Sequence, residues 1–362
     1  MHPLFFSMFL LWYPTPQTTA VSPAEPPHNV ILLIGDGMGL TQITAGMYAQ
    51  TEKLNLENFP VTGLMTTHPA KEKITDSAAA GTAMACGCKT KNGMLGLTEK
   101  KKVCRNLFEQ AKNHQMATGI VVTCSVVHAT PAAFVAHVEK RDYKEDIALS
   151  YLSSDIDLLI GGGRRFFNKR TNDRRDLLAE LREKGYRVEN IAETPFENLS
   201  FDAARPLVWF TDDEEPASVI EGRDYLVRAA AEATGFLKQR NPNGFFLMVE
   251  GSQIDWAGHK KNADWMVAET LEFDRAVGEI LHFAQADGHT LVIVTADHET
   301  GGAAITQGST RDSLRIEFIN GEHTATMVPV FAYGPGAELF NGVYDNTDIY
   351  LKIKKALGWP EE

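Results

Sequence analysis

The chain of 362 residues is 44% hydrophobic and 23% charged, which is ordinary for a globular protein and excludes a fibrous or disordered one. A formal net charge of −12 argues against the basic surface that nucleic-acid binding requires. It leaves an anionic small molecule open, because charge beyond about 8 Å is screened and the local field of a site decides.

Residues 1–28 open with an apolar run over 4–13 that is too short to span a bilayer. Small residues follow, with candidate cleavage points after Ala20 or Ala24. This pattern reads as a signal peptide and flexible N-terminal segment, and it predicts an exported protein, periplasmic or secreted. No other segment has membrane-spanning character. Residues 29–362 then read as a single catalytic domain.

Six near-continuous apolar runs follow in order: 29–35, 118–126, 155–163, 244–251, 289–297 and 327–334. Such runs suit strands covered on both faces. Between them lie helix-like stretches at 104–114, 173–185, 222–240, 262–285 and 347–357. The alternation predicts an α/β fold, an α/β/α sandwich with a central, mostly parallel β-sheet, whose ligands sit beyond the carboxyl ends of the strands. The acidic stretch 211–222 reads as a solvated loop. The four cysteines, Cys86, Cys88, Cys104 and Cys124, lack zinc-knuckle spacing and leave buried thiols or one disulfide open.

Several strands end in a metal-type side chain. The first runs into "GDGMG", placing Asp36 in the turn. A dinucleotide fingerprint does not fit there, because Leu40 takes the third glycine position and Asp36 would repel a pyrophosphate. The fourth leads into "EGSQIDWAGH", with Glu250, Asp255 and His259. Asp255 and His259 are four residues apart and share one face of a helical turn. The fifth ends in "ADHETGG", with Asp297 and His298, and "GEHTA" adds His323. Mixed Asp and His ligands suit Zn²⁺. In "ITDSAAAGTA" the hydroxyl of Ser77 follows Asp76 and precedes very small residues. No GxSxG elbow surrounds it, so a metal is the remaining activator for a serine nucleophile. Asp76 and Ser77 also suit the start of a helix whose amides favour an anion, and small residues let that start approach a phosphate closely.

With these motifs and "HATPAAFVAHVEKR" in order along residues 29–359, the sequence resembles the alkaline phosphatases. The resemblance implies hydrolysis of phosphate monoesters through a phosphoserine on Ser77, two zinc ions, a third metal taken as magnesium, and a homodimer. It implies that Asp255, His259 and His323 hold one zinc, and that Asp36, Asp297 and His298, joined by Ser77, hold the other. Asp36, Thr130 and Glu250 would hold the third ion, with His128 beside it, and Arg141 would grip the phosphate. His128 stands where the best-known bacterial pattern has Asp, and Trp256 where it has Lys, so zinc is an alternative occupant of the third position. Short loops between the motifs imply a small accessory crown. A phosphodiesterase of the same superfamily is the main alternative, and a non-catalytic phosphate or metal binder the remoter one. The sulfatase nucleophile motif is absent around Ser77.

Overall fold

A computed structural model describes residues 25–310 and 313–360. The expected signal segment therefore lies almost wholly outside the described residues. The strands are Asn29–Gly35 (β1), Val61–Thr66 (β2), Ala117–Ser125 (β3), Leu158–Gly162 (β4), Arg187–Asn190 (β5), Leu207–Phe210 (β6), Phe245–Gly251 (β7), Thr290–Thr295 (β8), Glu299–Thr300 (β9), Ala303–Ile305 (β10), Ile316–Phe318 (β11), His323–Thr324 (β12), Val328–Tyr333 (β13) and Gly342–Asp345 (β14). The helices are Leu40–Ala49 (α1), Ser77–Cys86 (α2), Leu107–Asn113 (α3), Ala129–Ala132 (α4), Lys144–Ser150 (α5), Arg165–Asn168 (α6), Leu177–Glu183 (α7), Leu226–Arg240 (α8), Gln253–His259 (α9), Ala263–Asp287 (α10) and Thr347–Ala356 (α11).

Ten strands form one sheet in the order β14-β2-β13-β8-β1-β7-β3-β4-β6-β5. Only β13 runs against its neighbours. Every residue of β1, β3, β7 and β8 is buried, as expected for strands with helices on both faces. Two consecutive residues show the layering. Phe245 packs on Phe283 of α10, and Phe246 packs on Phe108 of α3. Neighbouring strand residues point to opposite faces, so α10 and α3 cover opposite sides and the sandwich is as expected. The long α10 is set by local chemistry at both ends: the Asn262 side chain accepts from the Trp265 amide, and Gly288 closes the helix in the left-handed conformation.

Two small pairings lie apart from this sheet, β10 with β11 and β9 with β12. The second of them holds His323, paired with Thr300 of β9 just beyond the end of β8. The stretch 211–222 is less solvated than its composition suggests. Glu215 turns inward and accepts from the Ser125 amide at 2.6 Å, while Asp213 pairs with Arg164 and Lys169. Of the cysteines, Cys88 and Cys104 form a disulfide, and Cys86 and Cys124 are buried free thiols. No helix among the described residues is long and apolar enough to cross a membrane.

Candidate active site

Adjacent strands β8, β1, β7 and β3 deliver the site from their carboxyl ends. Asp36 follows β1, Glu250 is the penultimate residue of β7, Asp297 and His298 follow β8, and Thr130 lies on the short α4 after β3. Asp255 and His259 sit on α9, immediately beyond β7.

The turn after β1 admits only glycine at position 37. Its φ is +71°, and a Cβ there would lie 2.7 Å from Thr300 Oγ1 and 2.8 Å from Asp255 Cα. The Gly37 amide donates to Asp297 Oδ1 at 3.1 Å, which ties the β1 and β8 ends together.

Around this turn the strand ends gather three groupings of side chains. In the first, Asp255 Oδ2 is 3.2 Å from His259 Nε2, Asp255 Oδ1 is 3.3 Å from His323 Nε2, and the two imidazole Nε2 atoms are 3.2 Å apart. The outer nitrogens are committed elsewhere: Nδ1 of His259 donates to the Gly321 carbonyl and Nδ1 of His323 to the Thr75 carbonyl. With Nδ1 carrying the proton, both Nε2 lone pairs turn inward, as in metal-binding imidazoles. In the second grouping, His298 Nε2 is 3.1 Å from Asp297 Oδ2, 3.5 Å from Asp36 Oδ1 and 3.4 Å from Ser77 Oγ. Thr300, which the sequence reading did not single out, joins the two sets by donating to Asp255 and contacting His298 Nδ1. The third grouping brings Glu250 and His128 together with Cys124, which the sequence reading also left without a role.

Electrostatics shows what these groups lack. Burial, followed by the charges of Asp297, Asp255 and Glu250, pushes Asp36 well above the usual carboxylate range. Burial raises Glu250 to about 8, with Asp297 adding to the effect. Burial also opposes the charge on Asp255, but His259 and His323 hold it well below the ordinary value. Both oxygens of Asp36, Asp297 Oδ2, Glu250 Oε1 and Thr130 Oγ1 are buried without a hydrogen-bond partner. Crowded buried acceptors without donors fit bound cations, and the residues present match a metal centre.

Ser77 starts α2, which is capped by Asp76 and buried at all ten positions. Its small residues have a packing reason: a Cβ on Gly81 would lie 3.1 Å from the Ala133 Cβ and 3.6 Å from Thr130 Cα. Helix α2 thus lies directly against the segment carrying Thr130. Arg141 reaches the same place, with Nη1 donating to Asp76 Oδ2 at 3.1 Å and Nη2 donating to His128 Nε2 at 3.1 Å. Burial and then Arg141 hold His128 down to about 3, so its ring is neutral. Ser77, Arg141, His128, Trp256, His259 and His323 line one open cleft of about 590 Å³.

The family model for alkaline phosphatase matches residues 27–315. The chain belongs to the alkaline phosphatase family. Alkaline phosphatase 4 of Bacillus subtilis is 32% identical, the match covering 91% of this chain and 89% of that protein. The alkaline phosphatase of Escherichia coli is also 32% identical, with coverages of 92% and 87%. Among solved structures, alkaline phosphatase from the Antarctic bacterium TAB5 is 40% identical with a TM-score of 0.86, covering 93% of this chain and 99% of that one. A histidine-to-aspartate mutant of the TAB5 enzyme, described with Mg bound in its M3 site, matches with a TM-score of 0.87, the same identity and the same coverages. This alkaline phosphatase family member is therefore a metal-dependent enzyme of a phosphomonoesterase family, built on the expected fold.

Proposed function

We propose that this enzyme hydrolyses phosphate monoesters in two in-line steps through a phosphoserine on Ser77. The observation that carries the proposal is the placement of Ser77 Oγ, 3.4 Å from His298 Nε2 and at the first residue of a capped helix. A serine hydroxyl needs activation at neutral pH, and no imidazole–carboxylate relay of the serine-protease kind surrounds this one. His298 is instead enclosed by Asp36 and Asp297, the arrangement of a ligand set.

Asp255, His259 and His323 would hold one zinc, and Asp36, Asp297, His298 and Ser77 the other. Asp36, Thr130 and Glu250, with His128 beside them, would hold the third ion. Bound there, such ions supply Lewis-acid stabilisation of the attacking and leaving oxygens and lower the pKa of an oxygen nucleophile. The chain's own residues do the rest. Asp76 fixes the start of α2 and so the position of Ser77 Oγ, while α2 directs its first amides toward an incoming anion. Arg141, held by Asp76, presents a planar fork to two non-bridging phosphate oxygens. A diester also keeps two non-bridging oxygens, so this grip alone does not choose between the two ester classes. The monoester reading is supported instead by the similarity to alkaline phosphatases and by the presence of Thr130, Glu250 and Arg141 together.

The resemblance supports a homodimer and a third ion of magnesium type, with zinc as the alternative because of His128. The Cys88–Cys104 disulfide suits an oxidising compartment, which supports export to the periplasm or beyond. The test is turnover of matched aryl phosphate mono- and diesters by metal-stripped and zinc-reloaded protein. Zinc should restore activity better than magnesium alone, and monoester kcat/KM should exceed the diester value by orders of magnitude. A diester preference would overturn the proposal.

A further inference from the structure

Thr300 is fully buried on β9, and none of the roles above uses it. Its main chain reaches two parts of the site. The amide donates to the Gly37 carbonyl at 3.2 Å, and the residue pairs with His323 across β9 and β12. Its side chain reaches two more. The hydroxyl donates to Asp255 Oδ1, and His298 Nδ1 lies 3.2 Å from the same Oγ1. The side chain has little room to turn. A Cβ on Gly37 would lie 2.7 Å from Thr300 Oγ1, and a Cβ on Gly258 would lie 2.9 Å from Thr300 Cγ2. Two glycines thus leave the space that the hydroxyl and the methyl fill.

The proton inventory decides what the hydroxyl does. It has one proton, and a carboxylate only accepts, so that proton points at Asp255. Only lone pairs remain for His298, whose Nδ1 must then carry the ring proton. A neutral imidazole has one such proton, so Nε2 keeps its lone pair. Nε2 is the atom that faces Asp36, Asp297 and Ser77.

We propose that Thr300 is a positioning residue that couples the two Asp/His sets, so that filling one with a divalent cation prepares the other. The inference rests on the reading that both sets hold zinc. Fixing Asp255 on a cation fixes the hydroxyl. The hydroxyl then holds the proton on His298 Nδ1 and leaves Nε2 free to ligate. Coupling of this kind is reciprocal, so a cation held by His298 favours the Asp255 set equally.

Zinc uptake by the metal-stripped full chain, followed against a competing chelator with Mg²⁺ present, tests this. In wild type the two zinc equivalents should bind with positive cooperativity. Thr300→Val keeps the shape and loses the hydroxyl. It should weaken zinc by about tenfold or more and make the two equivalents bind independently. Thr300→Ser keeps the hydroxyl and should restore both affinity and cooperativity, which a role in packing alone would not give. His259→Ala, which cripples the Asp255 set, should weaken zinc at the His298 set about fivefold or more. That loss should vanish in the Thr300→Val background. Independent uptake in wild type overturns the proposal, and this titration can refute it even if a variant misfolds. Wild-type zinc binding in Thr300→Val, Thr300→Ser behaving like Thr300→Val, or an equal His259→Ala loss in both backgrounds also overturns it. The functional reading fails separately. Coupled zinc uptake without monoester turnover would refute that reading and leave the Thr300 link standing, whereas turnover with independent uptake would do the reverse.

Discussion

Asp76 serves Ser77 and Arg141 at once: Oδ1 accepts from the Ala79 amide at 2.9 Å to cap the helix that Ser77 begins, and Oδ2 accepts from Arg141 Nη1 at 3.1 Å. Oδ2 also takes the Gly93 amide at 2.9 Å. One carboxylate therefore holds both the proposed nucleophile and the arginine proposed to grip phosphate, and the two effects can be separated by mutation. Asp76→Ala should lose about 1 kcal/mol of stability with the cap. It should also free Arg141 and weaken inhibition by inorganic phosphate several-fold. Asp76→Asn, which keeps a capping oxygen, should retain most of the stability while still weakening phosphate inhibition. Denaturant unfolding and phosphate inhibition constants, measured side by side, check the separation.

His128 and Trp256 meet edge-to-face with ring centroids 6.0 Å apart, in the cleft that Ser77 and Arg141 also line. His128→Asp adds a carboxylate there and should bind Mg²⁺ more tightly, by about tenfold or more. Trp256→Lys adds a cation near the phosphate and should lower the phosphate inhibition constant. Mg²⁺ titration of stripped protein and product inhibition of the loaded enzyme measure these effects. Unchanged values in both would show that neither residue tunes the site.

Away from the site, both ring nitrogens of His137 face acceptors, Nδ1 at 2.7 Å from the Gly96 carbonyl and Nε2 at 3.0 Å from Glu109. Only the imidazolium satisfies both. Burial opposes that charge, but the bonds to Glu109 and Gly96 raise His137 above its usual 6.5. Burial likewise opposes the charge on Glu109, but His137 and the Asn106 amide hold it below 4.5. The raised histidine contributes stability fully below its unfolded value near 6.5 and loses it as pH rises through the folded value. The depressed glutamate contributes above its unfolded value and loses it as pH falls. The stability difference between wild type and His137→Gln should therefore be greatest at about pH 5–6 and shrink toward alkaline pH. Melting temperatures of both proteins across that range test the sign; a difference that grows with pH would contradict it.

The buried strands were legible because they are continuously apolar. The first, 29–35, matches β1 in full, and the other five overlap β3, β4, β7, β8 and β13. Strands missed by the sequence reading lack that signal. β2 alternates in burial and β14 is half exposed, while β5 and β6 are four residues each. Helix α1 was missed because it has no side-chain cap and no charge in its first or last turn. Helix α3 begins at Leu107 rather than 104 because Asn106 caps it and Glu109 completes the capping box. At the site, Asp and His residues at strand ends announced themselves by type and position. Cys124 and Thr300 did not: a cysteine inside an apolar strand and a threonine in a turn look ordinary until the fold sets them against Glu250 and Asp255. The pairing of Cys88 with Cys104 likewise depends on the fold, since spacing alone does not choose a partner.

The central claim is that Ser77 carries the phosphoryl group. Wild-type enzyme mixed with labelled phosphate monoester, quenched in acid and digested should yield label on the peptide containing Ser77. Ser77→Ala should yield none, should keep its metals, and should lose turnover by about 1,000-fold or more. Label on another residue, or turnover preserved in Ser77→Ala, would contradict the account.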